Sequence, residues 1–118
     1  MKTVFIAHRV KGNVEENIKS ALRWARWALI EHDVVPVVPY AYLCIFLDDR
    51  VASERGLGTM CSLEISRRCE EIWICGPLPS KTSEVWKEVV EAERMNKRII
   101  DYSDLTLPKK YANFSPAE

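Results

Sequence analysis

The sequence predicts an α/β domain: a small, mainly parallel sheet enclosed between two layers of helices. Three features predict it. Short apolar runs rich in β-branched residues alternate with longer segments of helical period along the 118 residues. Two of those runs, Thr3-Val4-Phe5-Ile6-Ala7 and Glu71-Ile72-Trp73-Ile74-Cys75, are continuously apolar beyond their first residue rather than alternating, as a strand covered on both faces requires. Glycine and proline punctuate the boundaries, most sharply in Gly76-Pro77-Leu78-Pro79. Strand–helix alternation of this kind means βαβ units joined by crossover helices.

The elements follow in order. Residues 3–7 form the first strand, and His8 to Gly12 a loop. Asn13 with Glu16 three residues later has the form of a capping box, and Ile18, Ala21, Leu22, Ala25, Ala28 and Leu29 then recur at three- and four-residue steps, which predicts a helix to about Glu31. Trp24 and Trp27 widen its apolar side. Val34 to Val38 is a second strand, and Pro36 places it at a sheet edge because proline brings no ladder donor. Tyr40 to Asp49 reads as a loop or short helix, and Ala52 to Cys69 as a helix that Gly56 and Gly58 could interrupt near its start. Residues 71–75 form the third strand. Lys81 to Met95 is helical, with Ser80 or Thr82 as its N-cap, and Arg98-Ile99-Ile100 is the last strand. The simplest order that leaves the second strand at an edge is 2-1-3-4, a compact three-layer sandwich of the Rossmann or flavodoxin kind. Residues 1–102 make the domain, and 103–118 are expected to be a polar, loosely held tail.

Composition narrows the function. Seventeen Lys and Arg balance seventeen Asp and Glu, so the electrostatic footprint of a duplex nucleic-acid binder or a polybasic membrane binder is missing. Near-zero charge favours self-association. No run approaches the roughly 20 apolar residues of a membrane span, and the apolar run at the N-terminus is too short for a signal segment. Cys44, Cys61, Cys69 and Cys75 form no C-x-x-C pair and read as small apolar fillers in a reducing, cytoplasmic setting. His8 and His32 are too far apart in sequence for a local metal site, and neither metal nor cofactor is expected.

In an open parallel sheet the ligand crevice lies outside the carboxyl ends of the strands, where strand order reverses. That rule selects the loop His8 to Gly12, the loop after Val38 containing Tyr40, and the turn Gly76 to Ser83. Arg9 and Lys11 make the first loop cationic just before a helix N-terminus, a place that can hold phosphate or carboxylate, or simply a solvated basic loop. G-x-G-x-x-G and Walker patterns are missing, which disfavours an ordinary dinucleotide or P-loop site. On the helix from Lys81, the buried stripe is Val85, Val89 and Ala92, with Glu88 and Glu93 on its two margins. Glu93 is about 7–8 Å further from the strand ends at 1.5 Å per residue, so Glu88 is the carboxylate near the crevice. Such a group can attack an anomeric carbon, or it can be a half-exposed glutamate paired with Lys81 or Lys87. Asp48 and Asp49 could contact ribose hydroxyls or cap the helix that follows. Tyr40, Tyr42 and Phe46 could stack on a base or pack in the core.

Several segments together resemble the nucleoside 2-deoxyribosyltransferase-like proteins, in particular their small uncharacterised bacterial and phage domains. The resemblance is carried by Val4-Phe5-Ile6-Ala7, Asn13-Val14-Glu15-Glu16-Asn17, Phe46-Leu47-Asp48-Asp49, Glu54-Arg55-Gly56-Leu57-Gly58 and Arg67-Arg68-Cys69-Glu70-Glu71-Ile72-Trp73. The last helix resembles the transferase motif, in which a glutamate is followed four residues on by Ala and eight on by a Gly-Lys turn; here these are Glu88, Ala92 and Asn96-Lys97. The resemblance implies Glu88 as the nucleophile that takes a deoxyribosyl group or, in related deoxynucleoside monophosphate hydrolases, splits the N-glycosidic bond. It implies a phosphate-holding hydroxyl at Thr82, as in the hydrolase branch, and a dimer or larger homo-oligomer. On this reading Arg9 and Thr82 hold a 5′-phosphate, Tyr40 or Asp49 contacts base or sugar, and His8, Asp48 and Ser83 belong to the same substrate site. The sequence departs from the family pattern at Glu84, where a glycine is usual, and at His8-Arg9, where Gly-Pro often follows the first strand. The family's second catalytic acid has no clear counterpart, Glu64 being merely nearby. Two readings of the crevice remain: a glycosidase or transferase, and a non-catalytic sensor of a nucleotide-derived signal. A third is an interaction module built on the tryptophan-rich helix.

Overall fold

The structure, a computed structural model, describes residues 1–77 and 84–116. Its elements are β1 (Thr3–Ala7), α1 (Val14–His32), β2 (Val35–Val37), α2 (Tyr40–Phe46), α3 (Ala52–Arg68), β3 (Glu71–Cys75), α4 (Glu84–Arg94), β4 (Arg98–Tyr102) and α5 (Lys109–Ala112). The four strands form one sheet in the order β2-β1-β3-β4, and every pairing is parallel. Both the order and the edge position of β2 are as the sequence predicts.

Side-chain alternation along the strands builds the layers. Val4 and Ile6 of β1, with Trp73 and Cys75 of β3, point to one face and pack with Trp24, Trp27 and Ala28 of α1 and Tyr111 of α5. Phe5 and Ala7, with Ile72 and Ile74, point to the other and pack with Val85, Val89 and Ala92 of α4 and Cys69 at the end of α3. The tryptophans of α1 are therefore core residues rather than surface ones. Trp24 and Trp27 are buried, and Trp27 meets Trp24, Trp73 and Tyr102 edge-on at 5.3, 6.0 and 5.1 Å between ring centroids.

Helix ends are explained by local chemistry. Asn13 accepts the Glu16 N–H at 3.3 Å and starts α1, while Asp33 in the left-handed region closes it on the Leu29 carbonyl. α3 runs unbroken through Gly56 and Gly58, and at Gly58 the space a side chain would fill is taken by Leu47. Asn96, also left-handed at φ 53°, ends α4 and turns Lys97 back to α3. There the Lys97 ammonium donates to the carbonyls of Ser66, Arg67 and Cys69, capping the otherwise open C-terminus of α3. At the N-terminal edge of the sheet, buried Glu71 accepts from Lys2 Nζ at 2.8 Å and Trp73 Nε1 at 3.0 Å. Burial pushes its carboxyl pKa up, but these two donors outweigh it and hold the group below the usual range.

The segment after residue 102 is more firmly held than its polar composition suggests. Tyr111 is 2% exposed within the α1-side core and donates its hydroxyl proton to Glu31, which also pairs with Lys110. Arg23 Nε donates to the Phe114 carbonyl at 2.8 Å, and Arg26 lies over the Phe114 ring. A four-residue helix is too short to show a hydrophobic period, which is why the sequence hides it. Among the described residues no helix is long and apolar enough to cross a membrane.

Candidate functional site

The carboxyl ends of β1 and β3 meet where strand order reverses, and the contact there is between His8 and Gly76. His8 continues the alternation of Val4 and Ile6, so its ring turns toward α1 and is 8% exposed. Its Nδ1 lies 2.7 Å from the Arg9 carbonyl, which can only accept, so Nδ1 carries the proton. Nε2 then accepts from the Ser20 hydroxyl at 2.9 Å. Burial pulls the imidazole pKa down, against a smaller opposing pull from the Arg9 carbonyl. Gly76 has φ +80°, and a Cβ there would lie 2.8 Å from His8 Nε2, so both the turn and the packing require glycine.

The loop between His8 and α1 is tied to itself. Arg9 Nε donates to the Lys11 carbonyl at 3.0 Å, and Asn17 Nδ2 donates to the carbonyls of Val10 and Lys11. Gly12 at φ +105° passes so close to the Arg9 guanidinium that a Cβ would sit 2.9 Å from it. The guanidinium itself remains exposed beside the helix start. Beside this loop is a shallow cleft, lined by Phe5, His8, Val10, Ile18, Val38 and Tyr40 among others. Tyr40 reaches it as the first residue of α2.

The carboxylate candidate lies on the other side of the sheet. α4 runs back from the carboxyl ends of the strands, and Glu88 is in its second turn, 6% exposed between Val85 and Val89 of the core. Buried Ser62 on α3 donates to Glu88 Oε1 at 3.3 Å. Glu93, its rival by helical angle, is exposed. One turn beyond, Glu91 joins α4 to α3 through Arg67 at 2.8 Å and to Arg94 at 2.6 Å, and these cations hold its pKa at about 2.

The sequence matches the family described as a domain of unknown function, DUF7768, over residues 2–102. The chain belongs to that family. No curated protein matches it in sequence. Its fold is similar to that of a 2-deoxyribosyltransferase from the psychrotolerant bacterium Bacillus psychrosaccharolyticus, with a TM-score of 0.63 and 12% identity over 94% of this chain and 80% of that one. It is also similar to a 2-deoxyribosyltransferase from Leishmania mexicana, with a TM-score of 0.55 and 21% identity over 100% of this chain and 75% of that one.

In this DUF7768 chain the sequence-predicted residues are not all gathered together. His8 and Tyr40 share the cleft, with Arg9 on the loop beside it. Asp48 and Asp49 do not line it. Asp48 receives the Arg50 guanidinium at 3.0 Å on each oxygen and the Arg50 N–H at 2.9 Å, which keeps its carboxyl below the usual range. Nor does either aspartate cap α3, whose N-cap position is Val51 with no side-chain bond; Asp48 instead folds the preceding turn. Glu64 faces outward in ion pairs with Arg67 and Arg68, away from Glu88. Thr82 and Ser83, with the Ser80 cap and Lys81, lie outside the described residues. Ser20, Ser62 and Asn17 are the residues that sequence reading missed. Each acts on a partner in another segment or loop, and polar residues at helix positions carry no signal of that kind. All four cysteines are free thiols: Cys69 and Cys75 are buried fillers, whereas Cys44 is exposed.

Proposed function

We propose that this protein binds a nucleoside, a nucleotide or a related ribosyl metabolite and cleaves or transfers at its N-glycosidic bond. The observation that carries the reading is Glu88, a carboxylate buried on the crevice helix of a fold similar to that of two 2-deoxyribosyltransferases. In this reading a Glu88 oxygen attacks the anomeric carbon as the bond to the base nitrogen breaks. The bonding pair leaves with the base, which takes up a proton. Water, or a second base in the transfer reaction, then displaces the carboxylate and returns it to its starting state. Ser62 orients Glu88. Arg9 and Thr82 hold a 5′-phosphate, Tyr40 contacts the base or sugar, and His8, bonded at both ring nitrogens, shapes the loop beside them. The chemistry calls for no metal or redox cofactor. The resemblance adds self-association, and the cysteine spacing, with no C-x-x-C pair, suits a reducing cytoplasmic setting.

The second reading is a non-catalytic sensor, favoured by Glu84 standing where the transferases usually carry glycine. One experiment separates the two. The protein is incubated with deoxynucleosides and their 5′-monophosphates, and free base is followed by chromatography beside Glu88→Ala. Base release lost in the variant supports the enzyme reading, and release retained in the variant removes Glu88 from it. Ligand-induced thermal stabilisation without turnover supports the sensor.

A further inference from the structure

The buried side of α3 is made of small residues. Gly58, Ser62 and Ser66 recur at four-residue steps, and all three are buried. A buried helical serine ordinarily spends its hydroxyl on a carbonyl of its own helix, as Ser66 does on Leu63 at 2.6 Å. Ser62, 1% exposed, instead donates across the helix pair to Glu88 Oε1. The register of the two helices does not depend on that bond. Further along the pair Arg67 meets Glu91 at 2.8 Å, and Lys97 donates to the last carbonyls of α3, so α3 and α4 are fastened without it.

We propose that Ser62 is a positioning residue for the second half of the reaction, in which the sugar leaves Glu88. On the enzyme reading, on which this rests, the first step turns the Glu88 carboxylate into an ester and the second turns it back. In the second step a water oxygen bonds the anomeric carbon and gives up a proton to solvent. The carbon–oxygen bond to Glu88 breaks, and its electron pair returns to the carboxylate. A hydroxyl donates more strongly to a charged oxygen than to an ester oxygen. The Ser62 bond to Oε1 is therefore strongest in the carboxylate and weakest in the ester. Its effect then has opposite signs in the two steps. Charge leaves the carboxylate as the ester forms, so the bond gives that step no help. Charge returns as the ester breaks, so the same bond lowers that barrier. Removing the hydroxyl slows departure of the sugar and leaves its capture as fast or faster. A residue that merely packed the helices would slow both.

Rapid-quench kinetics with deoxynucleosides and their 5′-monophosphates test this on the wild-type chain, Ser62→Ala, Ser66→Ala and Glu88→Ala. For Ser62→Ala the expected result is a burst of free base approaching about one per chain, then steady turnover lowered about tenfold or more. A sugar adduct on the intact protein accompanies the burst in the mass spectrum after acid quench. Ser66→Ala makes the same change one turn away, at a hydroxyl bonded within its own helix, and behaves as wild type. Glu88→Ala gives neither burst nor adduct. If Ser62→Ala does not fold, Ser62→Cys, close in size with a weaker donor, carries the same expectation. Turnover unchanged in the Ser62 variant, or lowered without burst or adduct, overturns the role of Ser62, as does a burst in Ser66→Ala. Wild-type base release that is lost in Glu88→Ala then still supports the enzyme reading. A wild type that releases no base overturns both.

Discussion

The two faces of the sheet are built from different materials. On the α1 side the core is aromatic: Trp24, Trp27, Trp73 and Tyr111 interlock, with Tyr102 packed against them. On the α4 side Phe5 is the one ring in the buried set, with Trp86 packed against it, and the rest is Ala, Val, Ile and Cys. The second face also encloses polar groups deep in its helix pair, Ser62, Ser66 and Glu88. Ser66 turns its hydroxyl back to the Leu63 carbonyl at 2.6 Å, a local bond available to any helical serine. Ser62 and Glu88 join two helices instead. A carboxylate buried in such a place is costly even when hydrogen-bonded, and an apolar pair would pack there with less penalty. Under the proposed function, the contrast places stability on the aromatic face and the chemistry on the small-residue face.

The largest test of that division is Glu88→Gln. It keeps the shape and the bond from Ser62 but removes the carboxylate proposed as nucleophile. Base release should fall by about a thousandfold or more while the melting temperature stays level or rises. A loss of stability with activity retained would reverse the assignment of the two faces. The complementary change is Trp27→Ala. It should cost about 3–5 kcal/mol in denaturant unfolding, because it opens a cavity between α1 and β3, and leave kcat/KM for the remaining folded protein unaltered. Smaller again is Lys97→Met, which keeps the stem but strips the C-terminus of α3 of its ammonium. A cost of about 1–3 kcal/mol is expected, read as a lower urea midpoint with the slope unchanged.

These tests also mark how far the sequence could be read. Strand positions and their order were legible because β1 and β3 are apolar on both faces and Pro36 labels an edge. The Asn96-Lys97 pair was legible only as a motif. Its physical content is a left-handed turn that aims a cation at three open carbonyls of a helix end remote in sequence. The cluster at the carboxyl edge was half legible. Topology selected the loops of His8, Tyr40 and Gly76, but the partners Ser20 and Asn17 sit in helical positions with no distinguishing spacing. Helical angle could not separate Glu88 from Glu93, and rise along the helix could. Asp48 and Asp49 were ambiguous because adjacent acids beside aromatics suit a sugar site as well as a turn, and in the structure Arg50 ties Asp48 into a turn.

His8 is the exception on the aromatic side, a buried titratable group at the edge where the two faces meet, and it gives the smallest predicted effect. Burial holds its folded pKa below the ordinary 6.5 of the unfolded chain. Between those two values the unfolded chain binds the proton and the folded chain does not, so folding stability rises with pH across that window. Acidification from neutral pH should therefore erode stability from about pH 6.5 downward, levelling once the folded imidazole is itself protonated. The carboxylates held low, Glu71 and Glu91 among them, act in the same direction but below the ordinary carboxylate range, which separates the two windows. His8→Asn keeps an N–H for the Arg9 carbonyl and cannot be protonated near neutrality. The difference in urea midpoint between wild type and variant should narrow as pH falls from 7.5 to 5.5. A constant difference would mean that the imidazole titrates alike in both states, and that the Gly76 and Ser20 contacts do not bury it as the geometry requires.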